Sequence, residues 1–136
     1  MEYRAQTRID APATAVWAVL TDVAAWPTWE PNVTKVEGTV AAGADITVHT
    51  RLSDRAFPVA VSALDAPRQM QWTGGMPLGL FRGVRTFTLT ESEGCTEVAV
   101  HEVFSGPLLF LMRRMMPDLQ PSFDDFVRSL KARVEG

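Results

Sequence analysis

The spacing of hydrophobic residues changes period along the chain. Residues 2–9 alternate, with Tyr3, Ala5, Thr7 and Ile9 on one side and Glu2, Arg4, Gln6 and Arg8 on the other, which predicts a half-exposed strand. Asp10-Ala11-Pro12 then offers a capping residue and a first-turn proline. Val16, Trp17 and Leu20 follow at helical spacing, predicting a helix over 12–20. Thr21-Asp22 caps a second short helix that Pro27 ends, and Trp26 to Pro31 (WPTWEP) reads as a stiff loop. Trp17 sits at core spacing, while Trp26 and Trp29 in that loop either pack over the sheet edge or gate a cavity mouth.

From residue 36 to 104 the period is two. Val36, Gly38 and Val40 form one apolar set; Ile46, Val48 and Leu52 a second; Phe57, Val59 and Val61 a third; Met70 and Trp72 a fourth. Short turn-forming pairs separate them: Ala42-Gly43, Ser53-Asp54 and Ala66-Pro67. A loop at Ser53-Asp54 pairs Val48 with Val59 and Ile46 with Val61, and a loop at Ala66-Pro67 pairs Val61 with Trp72 and Ala63 with Met70. Residues directly opposite across antiparallel strands share a face, so both turns gather the large apolar groups on one surface. Gly74 to Gly79 reads as a loop and strand character resumes at Leu80, with Phe81, Phe87 and Leu89 on one parity and Thr86, Thr88 and Thr90 on the other. A hairpin turn at Glu93-Gly94 pairs Leu89 with Val98, Phe87 with Val100, Arg85 with Glu102 and Gly83 with Phe104.

The last segment starts at Ser105-Gly106-Pro107. Leu108 to Met116 is apolar nearly all round apart from Arg113 and Arg114; a buried core helix is the simplest reading, a cavity lid or a membrane-touching face the alternatives. Pro117 and Pro121 must kink or break the helix, because each lacks an amide proton and clashes with the preceding turn. Beyond them Leu119, Phe123, Phe126, Val127, Leu130 and Val134 form an amphipathic stripe. This order predicts one domain over residues 1–136 with an α+β fold. Its curved antiparallel sheet of about seven strands wraps a long, proline-kinked C-terminal helix, and two short helices follow the first strand.

Composition narrows the function. With 46% hydrophobic and 21% charged residues the chain is ordinary globular protein, which excludes wholesale disorder. A net charge of −3 with no Lys or Arg run longer than Arg113-Arg114 lacks the basic stripe that nucleic-acid binding needs. The single cysteine, Cys95, excludes an internal disulfide and a multi-cysteine zinc site, and its neighbours Glu91, Glu93 and Glu97 disfavour a thiolate nucleophile. His49 and His101 fall on the polar parity, face solvent and have no second histidine at metal-ligand spacing, so no metal is expected. Asp118, Asp124 and Asp125 read as residues near a helix N-terminus, favoured by its dipole. The chain has no G-x-S-x-G, P-loop or G-x-G-x-x-G, and nothing in it implies a cofactor. Purely apolar runs such as Leu108 to Met112 fall far short of a membrane span, and the charged N-terminus is no signal-peptide core. A soluble cytoplasmic protein is expected, its oligomeric state left open by the sequence.

The sharpest chemical feature is Arg85 opposite Glu102, both on the parity that turns Phe87, Val100 and Phe104 inward. Buried charge persists only when paired, so the two are expected to meet. Functionally, the guanidinium would hold a ligand carboxylate or carbonyl while Glu102 orients it or acts as a base. Structurally, the same pair is an ion pair in the core or at the sheet's rim.

Two stretches, IDAPATAVWAVLTDVAAWPTWEPNV at 9–33 and FRGVRTFTLTESEGCTEV from Phe81 onward, carry a family resemblance that extends over essentially the whole chain. It is similar to the START/SRPBCC helix-grip superfamily, most of all to its polyketide cyclase/dehydrase and lipid-transport branch; the proline-broken last helix departs from the usual uninterrupted one. The resemblance implies an apolar cavity between sheet and helix, used by different members for lipids, steroids, quinones or polyketides. The inward positions Phe57, Met70, Trp72, Phe81, Phe87 and Phe104, with Met112, Met115 and Met116 from the last segment, suit such a pocket, and a well-filled core is the alternative. The expected ligand-binding set is therefore Phe57, Met70, Trp72, Phe81, Arg85, Phe87, Glu102, Phe104, Met112 and Met116. Three functions stay open: binding or carriage of a small hydrophobic ligand, cyclase/dehydratase chemistry with Arg85 and Glu102 as catalytic candidates, and a partner-modulating interaction module. Transient membrane contact through Leu108–Met116 remains compatible with all three.

Overall fold

The computed structural model describes residues 1–51 and 53–136. The strands are β1 (Glu2–Ile9), β2 (Val33–Glu37), β3 (Asp45–Thr50), β4 (Ser53–Asp65), β5 (Gln69–Gly75), β6 (Arg82–Ser92) and β7 (Cys95–Ser105). They form one antiparallel sheet in the order β1-β7-β6-β5-β4-β3-β2, curled into a half-barrel. Helix α1 (Ala13–Thr21) and a 3-10 helix (Val23–Thr28) follow β1, and α2 (Leu109–Met115) and α3 (Gln120–Glu135) close the chain. This is the α+β arrangement that the period changes imply, and the helix-grip form that the resemblance implies.

The inward parity of the strands makes the core. Ile9, Ile46, Val61, Met70, Trp72, Phe87, Leu89, Val98 and Val100 are buried, and α3 covers them with Phe123, Phe126, Val127 and Leu130. Helix α3 runs alongside β1. At its start the Gln120 side chain donates to the Arg4 carbonyl, at 2.6 Å, and near its end Lys131 donates to the Arg8 carbonyl at 2.5 Å.

The β6–β7 hairpin has the register the sequence implies, with Arg85 opposite Glu102 and Gly83 opposite Phe104. Its two turn residues, Glu93 and Gly94, have φ of 55° and 79°, the left-handed pair that matches strand twist in a tight hairpin. The β3–β4 register differs from expectation by two residues. Val48 faces Phe57 and Ile46 faces Val59, because Ser53 already belongs to the returning strand, opposite Thr50. A shift of two preserves which face each side chain takes, so the apolar surface survives. Leu52, placed in this apolar set by its parity, lies outside the described residues. Val61 faces Trp72 as expected, but Ala63 does not face Met70. An irregularity between Ser62 and Asp65, with Ala63 at φ 48°, inserts extra chain there and bends the strand.

Other corrections concern the punctuation. Strand β2 stops at Glu37, with Gly38 at φ 107° turning the chain, so Gly38 and Val40 are not in it. Pro27 lies inside the 3-10 helix instead of ending it, because a short tight turn needs no amide at that position. Strand β6 begins at Arg82, later than Leu80, since Pro77–Gly79 form a further 3-10 turn. The C-terminal segment is two helices rather than one kinked helix. Met116 is extended, with ψ 137°, as the residue before a proline must be, and Pro121 starts α3 in its first turn.

The largest correction is α2. None of its residues is buried, so Leu108–Met116 is not a core helix. The stripe on α3 already fills the concave side of the sheet, leaving α2 beyond the start of α3 with no inner surface to cover. Of the expected cavity set, Met112 and Met116 are half-buried and Met115 is exposed. Phe57 is exposed too: its parity is inward, but no helix packs extensively over that part of the β3–β4 hairpin.

Candidate functional site

Antiparallel pairing brings Arg85 of β6 beside Glu102 of β7 on the concave face. Arg85 Nε donates to Glu102 Oε1 at 2.7 Å. The pair is mostly removed from water, with Arg85 29% and Glu102 13% exposed at the side chain. Helix α3 contributes Phe123, whose ring centre lies 4.6 Å from the guanidinium carbon. The cation is thus held at its Nε edge and across its face. Its two Nη groups have no hydrogen-bond partner among the described residues.

Gly83 makes room for this arrangement. A Cβ at Gly83 would fall 2.8 Å from Glu102 Oε2 and 2.9 Å from Phe104 Cε1, so only glycine lets the carboxylate and the ring lie over the backbone. Phe104 stacks on Phe81 at 5.6 Å and meets the Tyr3 edge at 6.2 Å, and Tyr3 lies 5.6 Å from Phe123. An aromatic wall therefore runs from the start of β6 to the guanidinium.

Deeper in, the interior is filled by rings. Trp26 stacks on Trp72 at 5.1 Å and contacts Trp29 and Phe126, while Phe87 packs against Trp72 at 5.0 Å and Phe126 at 5.9 Å. Trp26 and Trp29 are packing residues in this cluster. The Trp26 indole N–H donates to the Leu20 carbonyl at 3.0 Å. The buried Nε1 atoms of Trp29 and Trp72 have no partner among the described residues. Trp72 is also the cross-strand neighbour of Arg85.

One acidic residue escaped sequence reading. Glu30, in the WPTWEP loop, is buried, and its Oε1 accepts the Asn32 backbone N–H at 3.2 Å. Burial raises its carboxyl above the ordinary carboxylate range; the Asn32 N–H and the charge of Arg85 pull it back, and Asp125 adds to the rise. A lone glutamate in a proline-rich loop has no periodicity to mark it as inward, so only the fold reveals that it shares the interior with Arg85.

The remaining titratable candidates lie elsewhere. His101 and His49 stand at the outer face, bonded to Glu2 at 2.7 Å and Glu37 at 3.0 Å. Cys95 flanks the β6–β7 turn and donates to Asp10 at 3.5 Å. Among the described residues no group of His, Cys, Asp and Glu side chains is arranged to hold a metal ion.

Hollows open at the surface. One, of about 370 Å³, lies between Trp29 and the end of α3. Another, of about 410 Å³, is lined by Val59, Met76, Phe81 and Arg82 among others. Neither is lined by Arg85 or Glu102, but the second shares Phe81 with the aromatic wall that leads to them.

The sequence profile of the family described as polyketide cyclase / dehydrase and lipid transport matches residues 1–135. The chain belongs to that family. Solved structures agree on the fold. The Zhui aromatase/cyclase from Streptomyces sp. R1128 superposes with a TM-score of 0.80 at 15% identity, covering 99% of this chain and 93% of the other. A START superfamily protein from Mycobacterium smegmatis gives 0.73 at 14% identity, covering 98% and 97%. The protein MLL2253 from Mesorhizobium loti gives 0.77 at 19% identity, covering 97% and 95%. At these identities the likeness establishes the helix-grip fold and leaves the chemistry to the residues of this chain. No protein of curated function matches the sequence. Family membership and fold together point to hydrophobic-ligand binding or cyclase-type chemistry.

Proposed function

We propose that this family member binds a small, mostly apolar molecule carrying a carboxylate or carbonyl oxygen, with Arg85 as the anchor for that oxygen. The observation that carries the reading is the half-used guanidinium. Its Nε is committed to Glu102 and its face to Phe123, while neither Nη group has a hydrogen-bond partner among the described residues and the side chain is 29% exposed. Two parallel N–H donors on a rigid fork match a carboxylate, and one of them suffices for a carbonyl. Trp72 Nε1 next to Arg85 also has no partner among the described residues, and a surplus of donors selects a ligand that brings acceptors. The apolar body of the ligand lies along the rings of Phe104 and Phe81, which lead away from the guanidinium.

A second reading rests on Glu30. A buried carboxyl held toward its neutral form near a fixed cation is equipped to donate a proton while Arg85 stabilises developing negative charge on a carbonyl oxygen, the requirement of cyclase and dehydratase chemistry.

Native mass spectrometry of freshly purified protein tests the binding reading, comparing wild type with the paired variant Arg85→Met/Glu102→Gln, which removes both charges together. A dissociable hydrophobic-acid mass on wild type, or uptake of added dodecanoate, that is lost in the variant supports it. Equal retention by both proteins, or no uptake by either, rejects Arg85 as the anchor.

A further inference from the structure

We infer that the end of the molecule formed by α2 and the 76–82 loop docks on an anionic lipid bilayer. The two segments meet directly: Leu108 N–H donates to the Leu80 carbonyl at 2.9 Å, and the Gly106 backbone lies against Gly79 and Leu80 so closely that a Cβ there would meet both carbonyls. Together they present large apolar side chains to solvent. Leu78 is 96% exposed, Met115 70% and Phe110 69%, with Leu111, Met76 and Leu80 beside them in sequence. An apolar patch this exposed is normally a contact surface.

Leu78 shows that the exposure is not incidental to folding. It sits in the left-handed region, at φ 61° and ψ 21°, where glycine or asparagine is less strained than leucine. A strained leucine with almost its whole surface in water contributes little to the core.

The charges around the patch select its partner. Residues 66–90 and 103–117 contain no Asp or Glu, whereas the chain as a whole is acidic at −3. The exposed charged side chains on α2 and the 76–82 loop are Arg82, Arg113 and Arg114, with Asp45 across the adjacent hollow and Asp118 just beyond α2. Apolar tips that protrude from a loop and a short helix, with three arginines among them, fit an anionic interface: the tips insert at the acyl boundary and the guanidinium groups meet lipid phosphates. A bilayer accepts such a scattered set of tips, while a protein partner would need a shaped counterpart. Among the described residues no helix is long and apolar enough to cross a membrane, so the contact is peripheral. The patch adjoins the start of β6, the end from which Phe81 and Phe104 lead to Arg85.

Flotation with vesicles of equal parts phosphatidylcholine and phosphatidylglycerol, against pure phosphatidylcholine, tests this without any ligand and so independently of Arg85. Wild type is expected to float with the anionic vesicles and to be released by salt. Arg113→Gln/Arg114→Gln is expected to weaken binding roughly 30-fold, at about 1 kcal/mol per arginine near a charged surface. Leu78→Ser/Phe110→Ser is expected to abolish it, with the thermal melt of each variant unchanged because these side chains are exposed. No flotation, or flotation indifferent to lipid charge and to the arginine pair, overturns the inference. So does a wild-type dimer in sedimentation velocity that Leu78→Ser/Phe110→Ser disperses, since a second copy would then be what covers the patch.

Discussion

Gly83 lies directly beneath the carboxylate of Glu102, with only 2.8 Å between the place its Cβ would take and Glu102 Oε2. The absence of a side chain on β6 is therefore what allows a charged group on β7 to lie flat over the sheet and reach Arg85. Phe104, whose ring occupies the other side of the same space, is fixed by its stack on Phe81 and cannot easily withdraw.

Gly83→Ala should accordingly displace both neighbours. Overpacking of a filled site costs about 1–3 kcal/mol, and the loss should appear as a lowered urea midpoint. Ligand uptake should fall with it, because Glu102 no longer orients the guanidinium. An alanine variant with wild-type stability and uptake would show that Glu102 does not need the space.

The members of the ion pair should respond unequally to substitution. Glu102 is the more buried partner, so Arg85→Met strands a desolvated carboxylate and should cost about 2–4 kcal/mol, whereas Glu102→Gln leaves a partly solvated guanidinium and should cost about 1 kcal/mol. The double variant Arg85→Met/Glu102→Gln should be more stable than Arg85→Met alone. A double-mutant cycle by urea denaturation measures all three values.

Glu30 should leave a pH signature. Its folded pKa is raised by burial, so the folded state holds its proton at pH values where the unfolded chain has lost it. The associated stability is complete below the ordinary glutamate value of about 4.3 and is lost as pH rises through the folded value. The surface carboxylates act the other way. Glu2, Glu37 and Glu135 are lowered, chiefly by hydrogen bonds from His101, from His49 and from the Asp10 backbone, so what they contribute is lost as pH falls. Comparing wild type with Glu30→Gln cancels them. Glu30→Gln, which keeps an acceptor for the Asn32 N–H, should gain stability over wild type as pH rises from 4 toward neutrality. Parallel melting curves across that range would contradict the assignment.

The two stacked tryptophans should also separate. Trp26→Phe loses the bond to the Leu20 carbonyl along with ring area and should cost about 2–3 kcal/mol. Trp72→Phe removes an N–H that has no partner among the described residues, so the relief offsets part of the lost area and the cost should be smaller, about 1 kcal/mol or less. Equal thermal destabilisation would mean that Trp72 Nε1 is satisfied in solution.

How much of this was legible in the sequence depended on how locally each feature is determined. The pairing of Arg85 with Glu102 could be read by counting outward from Glu93-Gly94, because a two-residue turn of that chemistry permits one register. The β3–β4 register could not, since several adjacent polar residues serve equally as a turn, yet the error of two residues left Ile46, Val48, Phe57 and Val59 on their expected parity. Leu108–Met116 was misread because composition reports apolarity and not whether a surface remains to be covered; the stripe on α3 had taken it. The contact of Phe123 with Arg85 and the burial of Glu30 depend on where α3 and the WPTWEP loop lie against the sheet, and no spacing along the chain encodes that.

The most direct measurement for Arg85 is a fluorescence titration of wild type and Arg85→Met/Glu102→Gln with a polyene fatty acid and with its methyl ester. The ester keeps the apolar body and removes the anion. Wild type should prefer the acid by roughly tenfold or more, the worth of one charge-assisted hydrogen bond, and the paired variant should bind the two alike. Equal affinity of wild type for acid and ester, or an acid preference that survives in the variant, would contradict an anchoring role for Arg85.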